Sequence, residues 1–333
     1  MSAAACSGTH AASVSPTTPP AHSASPTHNA APADFPAVHP PYNVGVEMLT
    51  FVDHSRSTPA NGTAPSTPYR TLPAYILYPA TGAPAQKPVT GAAPSQVGAP
   101  FPVIIFAHGL DSNGPIYGPL LYEWARAGFV VVAPTFPLSN IAAPGGATAA
   151  DLVHQPADLS FVLTQVLQLS TSAGNPLTGM IDPRRIGAVG HSLGAMTVLA
   201  WAENTCCQDH RVDAAVIIDG TETTFGNGKF FAGRTVPILV IHGTADQTIP
   251  YANGKKIYED AKTPKYFISL IGAPHVSFLQ FSLTPQPPTK WENVDVQGVV
   301  DFLDGELDHD AASLKSLSTV ANVAGIAKLQ SDP

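Results

Sequence analysis

The run Ile186-Gly187-Ala188-Val189-Gly190-His191-Ser192-Leu193-Gly194-Ala195-Met196-Thr197-Val198-Leu199-Ala200-Trp201 decides the fold, because its period changes in mid-course. Ile186 to Val189 reads as a short apolar strand and Ala195 to Glu203 as a helix, so the G-x-S-x-G between them is a strand-to-helix turn. Gly supplies 27 of the 333 residues, and the five-residue pattern alone would arise by chance with a probability of roughly one in ten. Position is what gives it weight. So sharp a turn forces Ser192 into strained backbone, leaves no room for side chains at Gly190 and Gly194, and raises the Ser192 hydroxyl at a helix N-terminus.

Outward from this turn the same alternation repeats. Val46 to Val52 and Leu72 to Tyr78 read as strands, separated by a Pro/Gly/Ser-rich surface loop over Arg56 to Pro68. Strands are expected at Pro102 to Ala107, Phe129 to Ala133, Ala214 to Ile218, Ile238 to Ile241 and Tyr266 to Ile271. Helices are expected at Tyr117 to Ala127, Asp151 to Leu169, Ala252 to Ala261 and Val294 to Leu307. All-apolar strands alternating with helices imply an α/β fold with a mostly parallel central sheet flanked by helices, whose ligands bind at the carboxyl ends of the strands. Between the strands ending at Asp219 and beginning at Val236 only a short segment remains, so no large cap domain is expected and the cleft is open.

A serine hydroxyl becomes a competent nucleophile when an imidazole takes its proton and a carboxylate holds that imidazole in the right tautomer. Both partners occur downstream at strand ends. Strand 237–241 runs into His242-Gly243-Thr244-Ala245-Asp246, and strand 266–271 runs into Gly272-Ala273-Pro274-His275. The chain order Ser192, Asp246, His275 fits a hydrolase triad. Asp219 is a rival acid, because Ala215-Val216-Ile217-Ile218-Asp219-Gly220 also delivers a carboxylate at a strand end. His191 should point away from the nucleophile, into packing or hydrogen bonding, and His242 reads as structural. A tetrahedral intermediate needs two backbone N–H donors. One is assigned to Leu193, after the nucleophile, and the other to Leu110 in the loop Phe106-Ala107-His108-Gly109-Leu110-Asp111. Leu110, Tyr117, Phe136 and Phe278 lie near strand ends and are read as lining an apolar acyl or aryl pocket.

His108-Gly109-Leu110, Ala127 to Ala133 and Gly190-His191-Ser192-Leu193-Gly194 resemble the α/β-hydrolase superfamily, with the likeness running from about Val44 to Leu307. Within it the chain is similar to the platelet-activating-factor acetylhydrolases and the bacterial dienelactone-hydrolase-like serine esterases. The resemblance implies hydrolysis of short-chain or aryl esters through an acyl-enzyme, with no metal and no organic cofactor. Dienelactone hydrolases proper use Cys as nucleophile, so Ser192 points to the esterase side. The acetylhydrolases take their acid from the earlier strand, which keeps Asp219 open. Polyester hydrolases and cutinases share the fold and the absent lid, but their oxyanion loop usually carries an aromatic where this chain has Leu110. A peptidase or amidase using the same triad and an inactive surface-tethered binding protein are the remaining alternatives.

Composition narrows the partners. With 16 basic against 24 acidic residues and no Lys/Arg stripe, the chain is not expected to bind nucleic acid. No apolar run approaches the length of a membrane-spanning helix. Only 12% of residues are charged while Pro reaches 34, a balance that suits an exported protein. Residues 1–41 are an Ala/Ser/Thr/Pro-rich leader too poor in large apolar side chains to fold. Its Ala3-Ala4-Ala5-Cys6-Ser7-Gly8 resembles the end of a bacterial lipoprotein signal, which implies a lipid anchor at Cys6 on a flexible stalk. Residues 42–310 are expected to form the catalytic domain and 311–333 a C-terminal tail. Three cysteines with no C-x-x-C spacing give no zinc site. Cys206 and Cys207 are open to three states: two thiols, a vicinal disulfide, or one end of a bridge to Cys6.

Overall fold

The computed structural model describes residues 41–277 and 289–333. Nearly all of the leader, with Cys6, and the expected pocket residue Phe278 lie outside these residues. In chain order the elements are strands β1 (Asn43–Asp53), β2 (Arg70–Ala80), β3 (Val89–Thr90) and β4 (Phe101–Ala107), helix α1 (Gly118–Ala127), strand β5 (Val130–Pro134) and helix α2 (Gln155–Thr171). There follow β6 (Ile181–His191), α3 (Leu193–Glu203), β7 (Ala214–Ile218), β8 (Ile238–Gly243), α4 (Tyr251–Asp260), β9 (Lys265–Leu270), α5 (Glu292–Leu307), α6 (Ala311–Val320) and β10 (Ala327–Asp332). Short 3-10 turns precede α1 at Gly114–Tyr117 and α2 at Ala149–His154.

Among the described residues ten strands join one sheet in the order β10-β9-β8-β7-β6-β4-β5-β2-β1-β3. The six from β5 to β9 run parallel, and antiparallel partners close them on both sides, β2 against β5 and β10 against β9. Because successive strand side chains point to opposite faces, Val103, Ile105 and Ala107 of β4 pack with α2, α3 and α4 on one side. Ile104 and Phe106 pack with α1, α5 and α6 on the other. Every residue of β4, β5, β7 and β8 is buried, as strands covered on both faces must be.

Most element ends shift by a few residues, and two differences are larger. β6 begins at Ile181, before the apolar run, because its polar stretch is held by side chains: Arg184 and Arg185 both reach Asp182, at 3.0 and 3.1 Å. The expected C-terminal tail is instead structured. α6 buries Leu317 among the α5 side chains, and β10 pairs with β9 from Ala327–Leu270 to Asp332–Lys265. An edge strand needs ladder partners on one side only, and Ala327-Lys328-Leu329-Gln330-Ser331-Asp332 pairs without carrying a continuous apolar pattern.

A buried ion cluster fixes the segment that enters α2. Arg70, at the start of β2, donates to both carboxylate oxygens of Asp158 at 2.7 and 2.6 Å and to Asp151 at 2.9 Å. The other Asp151 oxygen accepts from Leu138 N–H at 3.1 Å, which secures the 136–140 loop beside the strand ends. Such a cluster replaces solvation with paired charge, so loss of one partner is costly even where the intact cluster adds little net stability.

Candidate active site

β6 passes into α3 through Ser192, whose backbone has φ +57° and ψ −120°, a region that non-glycine residues avoid. The strain is held by bonds on both sides: Ser192 N–H donates to Ile218 O at 3.0 Å and Met196 N–H to Ser192 O at 3.2 Å. A Cβ on Gly194 would collide with the Ala107 carbonyl, and one on Gly190 with that of Gly194, so both positions must be glycine.

His275 follows β9 and meets Ser192 from the opposite side. Its Nε2 lies 2.9 Å from Ser192 Oγ and its Nδ1 2.7 Å from Asp246 Oδ2. The carboxylate can only accept there, so Nδ1 carries the proton and Nε2 is left to accept from the serine hydroxyl. The other Asp246 oxygen takes the N–H groups of Thr248 and Ile249 at 2.8 and 2.9 Å. His242 Nε2 lies 3.3 Å from Asp246 Oδ2 and 2.9 Å from Ile249 O. That ring is buried, and burial lowers its pKa, so it serves as a neutral donor.

Asp219, the rival acid, stands apart from His275. Its Oδ1 accepts from Gly243 N–H at 2.9 Å, and its histidine neighbours are His191 and His242, each at 3.9 Å. Oδ2 is buried with no hydrogen-bond partner, and burial pushes this carboxyl well above the usual carboxylate range. The histidines and aspartates here form two triplets with ligand atoms within 4.8 Å of one another, His191-Asp219-His275 and Asp219-His242-Asp246. The protons of His242 Nε2 and His275 Nδ1 are engaged in the hydrogen bonds just described.

Leu193 opens α3, where first-turn N–H groups have no helical acceptor, and Leu110 sits 44% exposed in the loop after β4. That loop is tightly tied. His108 donates Nδ1–H to Gly109 O at 2.8 Å and accepts Phe136 N–H on Nε2 at 3.1 Å. Complete burial lowers its pKa to about 4, so it stays neutral at physiological pH. Asp111 takes the left-handed conformation at φ +57° and donates its N–H to Ser139 O at 2.8 Å.

Two expected pocket residues are elsewhere. Phe136 is fully buried against the His108 ring and belongs to the core, because its backbone N–H must reach His108. Tyr117 is 1% exposed, its ring packs on Phe106, and its hydroxyl faces His191 rather than a cleft. The sequence reading placed both by strand-end position, which does not report side-chain direction. The hydrogen-bonding role of the Tyr117 hydroxyl leaves no mark in the sequence, whereas Asp219, open there as a rival acid, caps the Gly243 N–H beside the site. Cys206 and Cys207 are joined as a vicinal disulfide in the turn after α3.

The sheet order and the strand-to-helix elbow at Ser192 define the class: this chain has the α/β-hydrolase fold. A family model described as Chlorophyllase matches residues 70–230. Among solved structures the chain is similar to a ferulic acid esterase from Streptomyces cinnamoneus, with a TM-score of 0.61 and 20% identity, over 81% of this chain and 91% of that one. Among curated proteins it is 28% identical over 122 residues to the uncharacterized protein YfhR of Salmonella typhi, a match spanning 29% of this chain and 42% of that protein. The YfhR protein of Escherichia coli K12 is 28% identical over 116 residues, or 40% of its length. The match thus spans under half the length of these curated relatives.

Proposed function

We propose that the chain is a serine carboxylic ester hydrolase working through an acyl-enzyme, with Ser192 as nucleophile, His275 as general base and Asp246 as the acid that orients it. The observation that carries this reading is the single hydrogen-bonded line from Ser192 Oγ through His275 to Asp246. Ser192 Oγ attacks the ester carbonyl while its proton passes to His275 Nε2, and Asp246 stabilises the imidazolium. Leu110 and Leu193 N–H groups receive the oxyanion. The alcohol leaves with the proton from His275, and a water deprotonated by the same nitrogen releases the acid and restores Ser192. The substrate class is short-chain or aryl esters. The esterase and chlorophyllase likenesses support an ester over an amide. Export is the proposed location, and the Cys206–Cys207 bond supports it because disulfides persist in oxidising compartments.

Labelling by a fluorescent organophosphonate, run beside turnover of a graded p-nitrophenyl ester series and an insoluble polyester, tests this. Wild type should be labelled and should cleave the soluble esters, and Ser192→Ala should lose both. Undiminished labelling of Ser192→Ala would refute the assignment.

A further inference from the structure

Outside the serine–histidine chain, a second line of hydrogen bonds crosses the site. Gly109 N–H donates to the Tyr117 hydroxyl at 3.0 Å, and that hydroxyl lies 2.8 Å from His191 Nδ1. His191 Nε2 lies 2.9 Å from the backbone carbonyl of His275. The directions follow from the two ends. A carbonyl can only accept, so His191 carries its proton on Nε2 and its Nδ1 is a bare acceptor. Tyr117 therefore donates to Nδ1 and accepts from Gly109, and Ser112 also hydrogen-bonds the phenol. Every bond points one way, from the loop after β4 to the loop after β9.

We infer that Tyr117 and His191 form a positioning strut that sets the distance between the oxyanion loop and the catalytic base. This rests on the serine-hydrolase reading above. Neither residue would touch substrate. Tyr117 removes Gly109 N–H from the available donors, so the next amide, that of Leu110, is the one presented to the oxyanion. At the other end, His191 anchors the backbone of His275, whose ring must keep its 2.9 Å contact with Ser192. The fit at the crossing is close: a Cβ on Gly109 would lie 3.1 Å from Tyr117 Oη and 3.3 Å from both His191 Nδ1 and Ser192 Cβ. Both side chains are within 2% of complete burial. Burial also keeps them in the protonation states the strut requires, with Tyr117 pushed up to about 12 and His191 down to about 3.

In Tyr117→Phe the ring remains but the hydroxyl that donates to His191 Nδ1 is gone. His191 is then free to take the other tautomer, which would turn a lone pair toward the His275 carbonyl. Because small displacements of reacting groups cost rate rather than binding, kcat should fall about tenfold with KM within about twofold in protein that is still folded at the assay temperature, although the unpaired Gly109 N–H lowers its melting temperature. His191→Leu should behave alike, and the double variant should be no worse than the poorer single, since both break one line. Losses that multiply, or a Tyr117→Phe kcat within about twofold of wild type, would overturn the strut. Nitrogen-15 histidine NMR gives a readout independent of turnover. His191 should be neutral with its proton on Nε2, shifting toward the Nδ1-protonated form in Tyr117→Phe; an Nδ1 proton in wild type would overturn the proposal. Absence of phosphonate labelling in wild type would instead sink the hydrolase reading, while the NMR result still decides the strut.

Discussion

The segments after β7 and β8 each deliver an aspartate near His275, yet the two carboxyls differ in the groups that reach them. Asp246 accepts from two backbone N–H groups and from His275 Nδ1–H, and His242 Nε2 lies 3.3 Å from the same carboxylate. Asp219 accepts one backbone N–H and leaves an oxygen orphaned, and burial raises its pKa well above the usual carboxylate range. Position at a strand end does not distinguish them. What does is the turn that follows: residues 246–249 wrap back to aim amides at Asp246, whereas Asp219, with φ +50°, leads into a long irregular segment. The two aspartates thus differ in the donors that reach them and not in their place on the sheet.

Substitution can break this contrast. Asp246→Asn should lower kcat by roughly three to four orders of magnitude, because the amide favours the wrong tautomer of His275. If Asp219→Asn matched that loss in steady-state turnover, the roles would have to be exchanged. Removing the neutral donor next to Asp246 in His242→Phe should cost about tenfold in kcat with little change in KM, measured on the same p-nitrophenyl ester. Smallest in turnover is Asp219→Asn, expected within about threefold of wild type. Its effect belongs to stability. A carboxyl whose folded pKa is raised contributes stability below the ordinary carboxylate range and loses it as pH rises through the folded value. The melting temperature of Asp219→Asn relative to wild type should therefore climb from pH 5 to pH 8. A difference that stays flat would mean that Asp219 is ionised in the folded protein.

Much of this was legible in the residues. Strand β7 was placed at its observed limits, and Ser192, Asp246 and His275 were brought to one point from chain order and strand ends alone, because burial on both faces leaves an unambiguous apolar run. Three things left no such trace. β10 pairs on one side only, so its residues need not be apolar. The polar start of β6 is stabilised by Asp182 and its arginines rather than by burial. Tyr117 and Phe136 were read as pocket residues because aromatic side chains near strand ends carry no mark of direction; a hydroxyl turned inward looks the same in sequence as one turned to a ligand.

β10 also bears on how the protein is handled as a material. Trimming the chain at residue 310, as its pattern invites, would strip the partner from β9 and leave Lys265-Tyr266-Phe267-Ile268-Ser269-Leu270 as an open, largely apolar ladder. Such an edge recruits strands from neighbouring molecules, so the shortened protein would be expected to collect in inclusion bodies. Tags and fusions belong beyond Asp332, where Ser331, Asp332 and Pro333 are exposed and β9 already has its partner.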